Sequence, residues 1–359
     1  MIDFTGQAVV VTGAGRGLGR LYAKELARRG ASVVVNDVGG SMHGHGADPG
    51  VADQVVDEIT QAGGVAVASH HSVTTPEGGE AIVGAALGSF GRLDAVVSNA
   101  GIFHTAPFDE LAIDDWRRMI DVHVNGGFFL SQPAYRVMKA QGYGRFVLIA
   151  SSAGLFGQPN SAHYAAAKSA VVGLTNVIAI EGAECGVLAN SVLPFGHSRM
   201  VTETIGEVPE DSEFLNAIDP ELVVPIVVYL ASSACRLTHY NFSACAGRFA
   251  QGLRRARRGM ALRARHEADS RRHRGASQRG GGIGYLHHSG INLRRDHRNH
   301  LPSGLDELGR DVRHESPAVD VPGMSEPHTG CDETGTTPPC CALRTHTQVL
   351  AGSCPNMLV

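Results

Sequence analysis

A tyrosine and a lysine four positions apart are the residues of this sequence best suited to acid/base chemistry. Tyr164 and Lys168 lie in the stretch YAAAK, and this spacing places both side chains on one face of a predicted helix. A free phenol titrates near pH 10, but an ammonium about 4 Å away, at an effective dielectric of about 20, favours the phenolate by about 4 kcal/mol, or about three pKa units. Ser151, thirteen residues before Tyr164, can hydrogen-bond a substrate oxygen. We therefore predict Tyr164 as a general acid/base supported by Lys168 and Ser151.

A glycine-rich loop near the N-terminus predicts a phosphate-binding turn. The stretch TGAGRGLG, residues 12–19, follows a β-branched run and opens a helical pattern. Missing side chains let the backbone approach a pyrophosphate, and the helix N-terminus supplies free N–H groups. A plain flexible turn is the alternative. The predicted cofactor contacts in this loop are Gly13, Arg16, Gly17, Leu18 and Gly19.

Asp37, at the end of the second predicted strand, indicates which dinucleotide binds. A carboxylate there accepts hydrogen bonds from both ribose hydroxyls and repels a 2′-phosphate, which favours NAD over NADP. Arg16 is a counter-signal, because a basic side chain in the loop could meet that phosphate, and Asp37 could instead cap the following loop. Asn99, Ala100 and Gly101 follow the fourth strand, where small residues leave room for a ribose. Asn99 could equally be a structural turn residue.

Strand-like and helix-like stretches alternate over the first half of the chain. Strands are predicted at 7–12, 32–36, 65–68, 93–98, 145–150, 188–193 and 240–246. Helices are predicted at 18–29, 55–62, 77–91, 114–141, 162–182 and 220–232. The strands are short and apolar, as in a parallel sheet with helices on both faces. This order predicts an α/β fold with a Rossmann-type, doubly wound sheet.

Taken together, these motifs resemble the short-chain dehydrogenase/reductase family over residues 1–250. The glycine loop, SNAG, Ser151 and YAAAK have the order and spacing of that family. The resemblance implies hydride transfer to or from a nicotinamide, Lys168 binding the nicotinamide ribose, and a homodimer or homotetramer. The run VVVNDVGGSMHGHGADPG, with its long loop after Asp37, resembles the (3R)-hydroxyacyl-CoA dehydrogenase branch of multifunctional enzyme type 2.

One catalytic position departs from the family pattern. The family has an Asn before the catalytic strand that holds a water in a proton relay, and the resemblance places His123 there. His123 either serves the relay or merely fills its place as a structural histidine, and Asn125 is a weaker stand-in. Ser72-Val73 replaces the usual Asp-Val after the third strand, which leaves the adenine contacts open. Residues 195–220, the expected substrate loop, match no motif.

The composition limits which partners, cellular location and metal content we expect of this protein. The chain has 359 residues, 43% of them hydrophobic, and a net charge of −4, so we expect no nucleic-acid partner. No uninterrupted apolar run approaches about 18 residues and no signal peptide is visible, so we expect no membrane contact. Seven cysteines without CxxC spacing suit a reducing, cytoplasmic location. Because His43, His45, His70 and His71 lack ligand spacing, we expect solvated loop histidines and no metal.

The pattern stops near residue 250, which divides the chain into a dehydrogenase domain at 1–250 and a tail at 251–359. The tail is rich in Arg, Gly, Pro and His and has no Lys. Its composition can scarcely offset its ordering entropy, so we predict a largely unstructured tail. Our first interpretation is an out-of-frame translation. A genuine disordered appendage, a folded second domain, a nucleic-acid arm and a metal site at Cys331, Cys340, Cys341 and His346 are the alternatives.

The sequence therefore predicts an oxidoreductase that transfers hydride between NAD and a secondary alcohol or ketone. A 3-hydroxyacyl-CoA is the first-choice substrate. A hydroxysteroid or another secondary alcohol is the alternative within the same class. From a different class, the chain could be a nucleotide-binding regulator without turnover, although the intact set of Ser151, Tyr164 and Lys168 argues against it.

Overall fold

The computed structural model describes residues 2–205, 208–209 and 212–252. Within them, eight strands form one sheet in the order β3-β2-β1-β4-β5-β6-β7-β8. The strands are β1 (Ala8–Thr12), β2 (Ser32–Asn36), β3 (Val65–Ser69), β4 (Ala95–Ser98), β5 (Gly144–Ile149), β6 (Val187–Phe195), β7 (Asn241–Cys245) and β8 (Arg248–Gln251). All neighbours pair in parallel except β7 and β8.

Helices cover both faces of this sheet. They are α1 (Gly17–Arg28), α2 (Gly50–Gln61), α3 (Pro76–Phe90), α4 (Ile113–Ile120), α5 (Gly126–Gln141), α6 (Ala153–Phe156), α7 (Ala162–Gly182), α8 (Arg199–Ile205), α9 (Glu213–Ala217) and α10 (Val224–Ala231). A π-helical turn, Asp121–Asn125, joins α4 to α5, and 3₁₀ turns occur at Ala183–Cys185 and Pro220–Val223. The predicted Rossmann-type sheet is confirmed, with the carboxyl ends of its parallel strands at one edge.

The core forms two layers because side chains alternate along each strand. Val9 and Val11 of β1 pack on one face, in the cluster that contains the buried side of α1, α2 and α10. Val10 packs on the other face, in the cluster that contains α3, α5 and α7. Both faces of the sheet are therefore shielded from solvent, which explains why its strands are continuous apolar runs in the sequence.

Several parts of the fold differ from the sequence prediction. The helix predicted at 114–141 is interrupted by the π-helical turn, and α6, α8 and α9 have no predicted counterpart. α2 begins at Gly50, five residues before the predicted start, because Val51 and Ala52 pack into the core although a Pro-Gly pair precedes them. β8 was not predicted. A two-residue turn at Ala246-Gly247 connects it to β7, and both residues have positive φ, as type I′ hairpin turns require. Alanine is unusual there, so the turn had no clear sequence signal.

The segment Glu213–Ala231 is long and apolar enough to cross a membrane by length and composition alone. In this fold it is divided into α9, a 3₁₀ turn and α10. Ile226, Val227 and Leu230 of α10 are completely buried against the sheet. The segment therefore contributes to the core. The predicted tail lies almost entirely outside the described residues, which end at Gly252.

Candidate active site

The glycine loop is held by the end of the neighbouring strand β4. The Thr12 hydroxyl accepts hydrogen bonds from the backbone N–H groups of Asn99 (3.0 Å) and Ala100 (3.1 Å). The Asn99 amide donates to the carbonyls of Thr12 (3.0 Å) and Gly13 (3.1 Å). Of the two readings of Asn99, the structure displays the structural one: its side chain fixes the loop.

Three glycines of this loop are required by space or by backbone conformation. A Cβ on Gly13 would lie 2.8 Å from the Ala100 Cα, and a Cβ on Gly19 would collide with the Gly13 carbonyl. Gly17 has φ +52°, and the space beside its Cα is open. Arg16 lies at the N-terminal boundary of α1, and no described side chain caps that end of the helix. Open space and uncapped N–H groups fit a dinucleotide pyrophosphate.

Asp37 lies beside this loop with a fixed carboxylate. One oxygen accepts the Gly15 N–H (2.9 Å), and the other accepts the Gly39 N–H (2.7 Å). Each oxygen keeps lone-pair capacity for a ribose hydroxyl. The Arg16 guanidinium instead donates to the Gly40 carbonyl (3.1 Å) in the loop after β2. The counter-signal from Arg16 is weakened, because this contact directs its charge to the protein backbone.

The predicted catalytic residues come together where β5 ends and α7 begins. Ser151 follows β5, and its hydroxyl lies near enough to the Tyr164 hydroxyl to favour the phenolate. Lys168 is buried, and its Nζ donates to the Ile149 carbonyl (2.7 Å). The same Nζ lies 5.6 Å from the centre of the Tyr164 ring. Spacing on α7 places tyrosine and lysine on one face, as the sequence predicted, while the strand end supplies the serine.

Burial controls the protonation of this pair. It raises the pKa of Tyr164 to about 12, and the Ser151 hydroxyl opposes the rise. It also lowers the pKa of Lys168 to about 7. From the sequence we expected the Lys168 charge to lower the pKa of Tyr164. The structure differs, because a low-dielectric site disfavours both charged forms. The pair is therefore at rest as a neutral phenol beside an amine that titrates near neutral pH.

His123 occupies the π-helical turn between α4 and α5, and it faces the catalytic tyrosine. Its ring is buried and meets the Tyr164 ring edge-on, with centroids 5.6 Å apart. Nε2 lies 2.8 Å from the Ile102 carbonyl and 3.1 Å from the Ile102 N–H, so the tautomer decides which of the two it bonds. Burial and the Lys168 charge hold the pKa of His123 well below its usual range. Asn125 points elsewhere and donates to Asp121 (2.8 Å).

A small, partly open cavity lies between the two halves of the site. It has a volume of about 10 Å³, close to the space that one water needs. Thr12 and Ala100 line it from the cofactor side, and His123 and Lys168 line it from the catalytic side. The cavity therefore brings the glycine loop, the relay candidate and the catalytic lysine to one place.

Phe103, and the contact that one loop histidine makes with it, were not predicted from the sequence. Phe103 is buried, and its ring packs edge-on against Tyr164 with centroids 5.0 Å apart. His43 is exposed, as expected of a loop histidine, and its Nδ1–H also donates to the Phe103 carbonyl (3.0 Å). His70 lies 3.0 Å from Asp53. Only the position of Phe103, two residues after SNAG, could have drawn attention to it.

Metal ligation finds no support in the part of the chain that the structure describes. No group of three His, Cys, Asp or Glu side chains there could hold a metal ion. The alternative metal site at Cys331, Cys340, Cys341 and His346 lies outside the described residues.

Comparisons with known proteins agree with this geometry. The family model for short chain dehydrogenases matches residues 7–209. The peroxisomal hydratase-dehydrogenase-epimerase of Saccharomyces cerevisiae is 42% identical over 250 residues, which are 70% of this chain and 27% of that protein. A putative short-chain type dehydrogenase/reductase of Mycobacterium tuberculosis is 43% identical over 229 residues, 64% of this chain and 78% of that one.

A solved structure extends the likeness to three dimensions. Full-length peroxisomal multifunctional enzyme type 2 from Drosophila melanogaster matches with a TM-score of 0.60 and 35% identity, over 73% of this chain and 42% of that one. The present chain thus spans about a quarter of the yeast protein and less than half of the Drosophila one. Because the family model matches residues 7–209 and the Mycobacterium tuberculosis relative is 43% identical over 78% of its own length, the chain belongs to the short chain dehydrogenase family.

Proposed function

We propose that this protein is an NAD-dependent oxidoreductase acting on a secondary alcohol or ketone, with a 3-hydroxyacyl-CoA as first-choice substrate. The observation that carries the proposal is the meeting of Ser151, Tyr164 and Lys168 beside the glycine loop. The substrate class follows from likeness to proteins named hydratase-dehydrogenase-epimerase and multifunctional enzyme type 2. A hydroxysteroid or other secondary alcohol is the alternative.

The proposed chemistry assigns one task to each side chain. Bound NAD supplies the hydride acceptor at its nicotinamide ring. Ser151 orients the substrate oxygen, and Tyr164 exchanges a proton with that oxygen at its hydroxyl. Lys168 binds the nicotinamide ribose, and its amine, which titrates near pH 7, passes protons toward the cavity beside His123. A neutral phenol with a pKa of about 12 is suited to donate a proton during ketone reduction.

The cofactor preference rests on the fixed carboxylate of Asp37. Its two oxygens face the loop from positions set by the Gly15 and Gly39 N–H groups. A 2′-phosphate would meet this negative charge, while the guanidinium of Arg16 in the loop donates to the Gly40 carbonyl. NAD is therefore proposed as the cofactor, and NADP as a weaker one.

The experiment that tests the function is a substrate panel followed at 340 nm. The panel holds (3R)- and (3S)-hydroxyacyl-CoA, a hydroxysteroid and a simple secondary alcohol, each with NAD and NADP. Tyr164→Phe should abolish NADH production and leave NAD binding nearly unchanged, because the ring stays and only the proton donor is lost. Tyr240→Phe, on a hydroxyl remote from the site, is the matched control. Turnover retained by Tyr164→Phe would contradict the mechanism. NAD binding without turnover on any substrate would favour the silent regulator.

Compartment, partners and the C-terminal region stay as predictions. A cytoplasmic location comes from cysteine usage, whereas several relatives carry the word peroxisomal in their names. A homodimer or homotetramer is proposed from family membership, and the exposed apolar side chains Val177 and Ile180 of α7 suit such contacts. The division at residue 250 and the out-of-frame origin of residues 251–359 are tested by resequencing the locus.

A further inference from the structure

The loop after Asp37 has a fixed conformation of its own. We call residues 38–49 the histidine loop. The Asp48 N–H donates to the Val38 carbonyl (2.9 Å), which closes its base. Within it, the Ser41 N–H donates to the His45 carbonyl (2.8 Å) and the Gly44 N–H returns to Ser41 (3.0 Å). Because these internal hydrogen bonds fix the shape of the loop, a displacement at one of its ends is expected to displace the other end as well.

Each end of the histidine loop contacts a different half of the site. At the cofactor end, Asp37 accepts the Gly39 N–H and Arg16 donates to Gly40. At the far end, the Phe103 N–H donates to the Met42 carbonyl (2.9 Å), and His43 Nδ1–H donates to the Phe103 carbonyl (3.0 Å). Both backbone polar groups of Phe103 are thus bonded to this loop.

Phe103 in turn packs against Tyr164, the proposed catalytic tyrosine. Its side chain is 3% exposed, and its ring stands perpendicular to that of Tyr164 at 5.0 Å. His123 meets the same tyrosine ring at 87° and 5.6 Å, so two edge-on contacts fix the orientation of the phenol. A shift of Phe103 would therefore move the hydroxyl that exchanges the proton.

We propose that His43 is a positioning residue for the reaction. Its imidazole holds the backbone of Phe103, and Phe103 holds the ring of Tyr164. The histidine loop then links ribose binding at Asp37 to the orientation of the catalytic phenol. This inference rests on the proposed function, because it assigns Tyr164 the proton exchange.

The substitutions at His43 separate the hydrogen bond from the bulk of the ring. An asparagine amide reaches the position of imidazole Nδ1, whereas a glutamine amide reaches that of Nε2. His43→Ala and His43→Gln should lower kcat about 5- to 30-fold, since small misplacements of catalytic groups cost up to about 100-fold. His43→Asn should keep kcat within about threefold of the unmodified protein. His45→Ala is the matched control, because His45 lies in the same loop and its side chain bonds to none of the residues that the structure describes. It should leave kcat, KM and the Kd for NADH unchanged.

Three readouts distinguish positioning from a general loss of structure. The KM for substrate and the Kd for NADH, followed by fluorescence, should change less than threefold in His43→Ala. Hydrogen exchange of a peptide covering residues 102–106 should become faster in that variant, with or without substrate. Phe103→Leu should lower kcat to a similar extent, and the double variant should be no worse than either single one, because both changes break one connection.

Several results would overturn the inference while leaving the proposed function intact. They are equal activity of His43→Ala and His45→Ala, rescue by glutamine and not by asparagine, or losses that multiply in the double variant. A rise in the NADH Kd that matches the fall in kcat would also overturn it, since the loop would then act as a cofactor clamp alone. If the unmodified protein turns over no secondary alcohol, the proposed function is wrong, whatever His43 does. In that case hydrogen exchange still tests the contact between His43 and Phe103, and an unchanged exchange rate at residues 102–106 in His43→Ala would refute it.

Discussion

The buried amine of Lys168 should make the stability of this protein depend on pH in a defined window. Burial lowers the pKa of Lys168 from 10.5 to about 7, so the folded protein binds its proton less tightly than the unfolded chain does. Between these two values the unfolded chain holds more protons, and stability must rise with pH. At 1.36 kcal/mol per pKa unit, the whole difference is on the order of 5 kcal/mol. About 2 kcal/mol of it falls between pH 7 and pH 9.

Lys168→Met removes the titrating group and keeps an apolar chain of similar length. We expect the free energy of unfolding of the unmodified protein, measured in urea, to rise relative to that of Lys168→Met by about 2 kcal/mol from pH 7 to pH 9. Groups remote from Lys168 titrate equally in both proteins, so their contributions cancel in the difference. The pKa of His123, which the Lys168 charge helps to lower, lies below this pH window, so the substitution leaves His123 uncharged there. Lys139→Met, at an exposed lysine of α5, is the matched control. Its free energy of unfolding should change with pH in the same way as that of the unmodified protein.

Parallel stability curves for the unmodified protein and Lys168→Met would refute the reasoning. They would mean that the pKa of Lys168 is the same in the folded protein as in the unfolded chain. A difference of the opposite sign, with stability falling toward pH 9, would show that the site stabilises the ammonium. Either outcome would also remove the argument that burial dominates the protonation of the neighbouring Tyr164.

Two further predictions concern close packing and the ribose contact. Gly101→Ala places a Cβ about 2.5 Å from His123 Cε1, so we expect a loss of about 2 kcal/mol and a fall in Tm of about 4–8 °C. Adding His123→Asn should restore most of the loss, Gly84→Ala in open space should cost nothing, and a Gly101→Ala protein of unchanged Tm would contradict the packing. Asp37→Ala should raise the KM for NAD about 10- to 100-fold and erase the preference over NADP, because hydrogen bonds to charged groups contribute about 1.5–3 kcal/mol. Asp57→Ala, an exposed carboxylate of α2, should keep the preference, and equal ratios in the two variants would exclude the proposed ribose contact.

The parts of the site that follow from local geometry could be predicted from the sequence. The glycine loop was found because a turn between a strand and a helix imposes backbone conformations that glycine supplies. Tyr164 and Lys168 were found because four residues make about one helical turn. The sheet followed from short apolar strands alternating with helices, and its carboxyl edge then located Ser151 and Asp37.

The parts that depend on contacts between distant segments could not be predicted. His43 and Phe103 are 60 residues apart, and no spacing rule connects an imidazole in one loop to a carbonyl in another. The π-helical turn that aims His123 at Tyr164 has no recognised sequence signature. Protonation was misjudged for the same reason. The ammonium of Lys168 was visible in the sequence, whereas the burial that lowers its pKa is a property of the folded chain.

Because Tyr164 and Lys168 are both buried, their protonation responds strongly to a charge that binds beside them. Tyr164 has a pKa of about 12 and Lys168 one of about 7, so at neutral pH the phenol is uncharged and the amine is close to its titration midpoint. In such a low-dielectric site, one added positive charge shifts both equilibria further than it would in water, and it favours the phenolate while disfavouring the ammonium. A fixed ammonium would lower the tyrosine pKa at all times. In the arrangement seen here the phenolate becomes available as a base only when a cation is bound beside it. The urea titration of Lys168→Met decides between these two designs, because only the second one leaves the lysine neutral above pH 7.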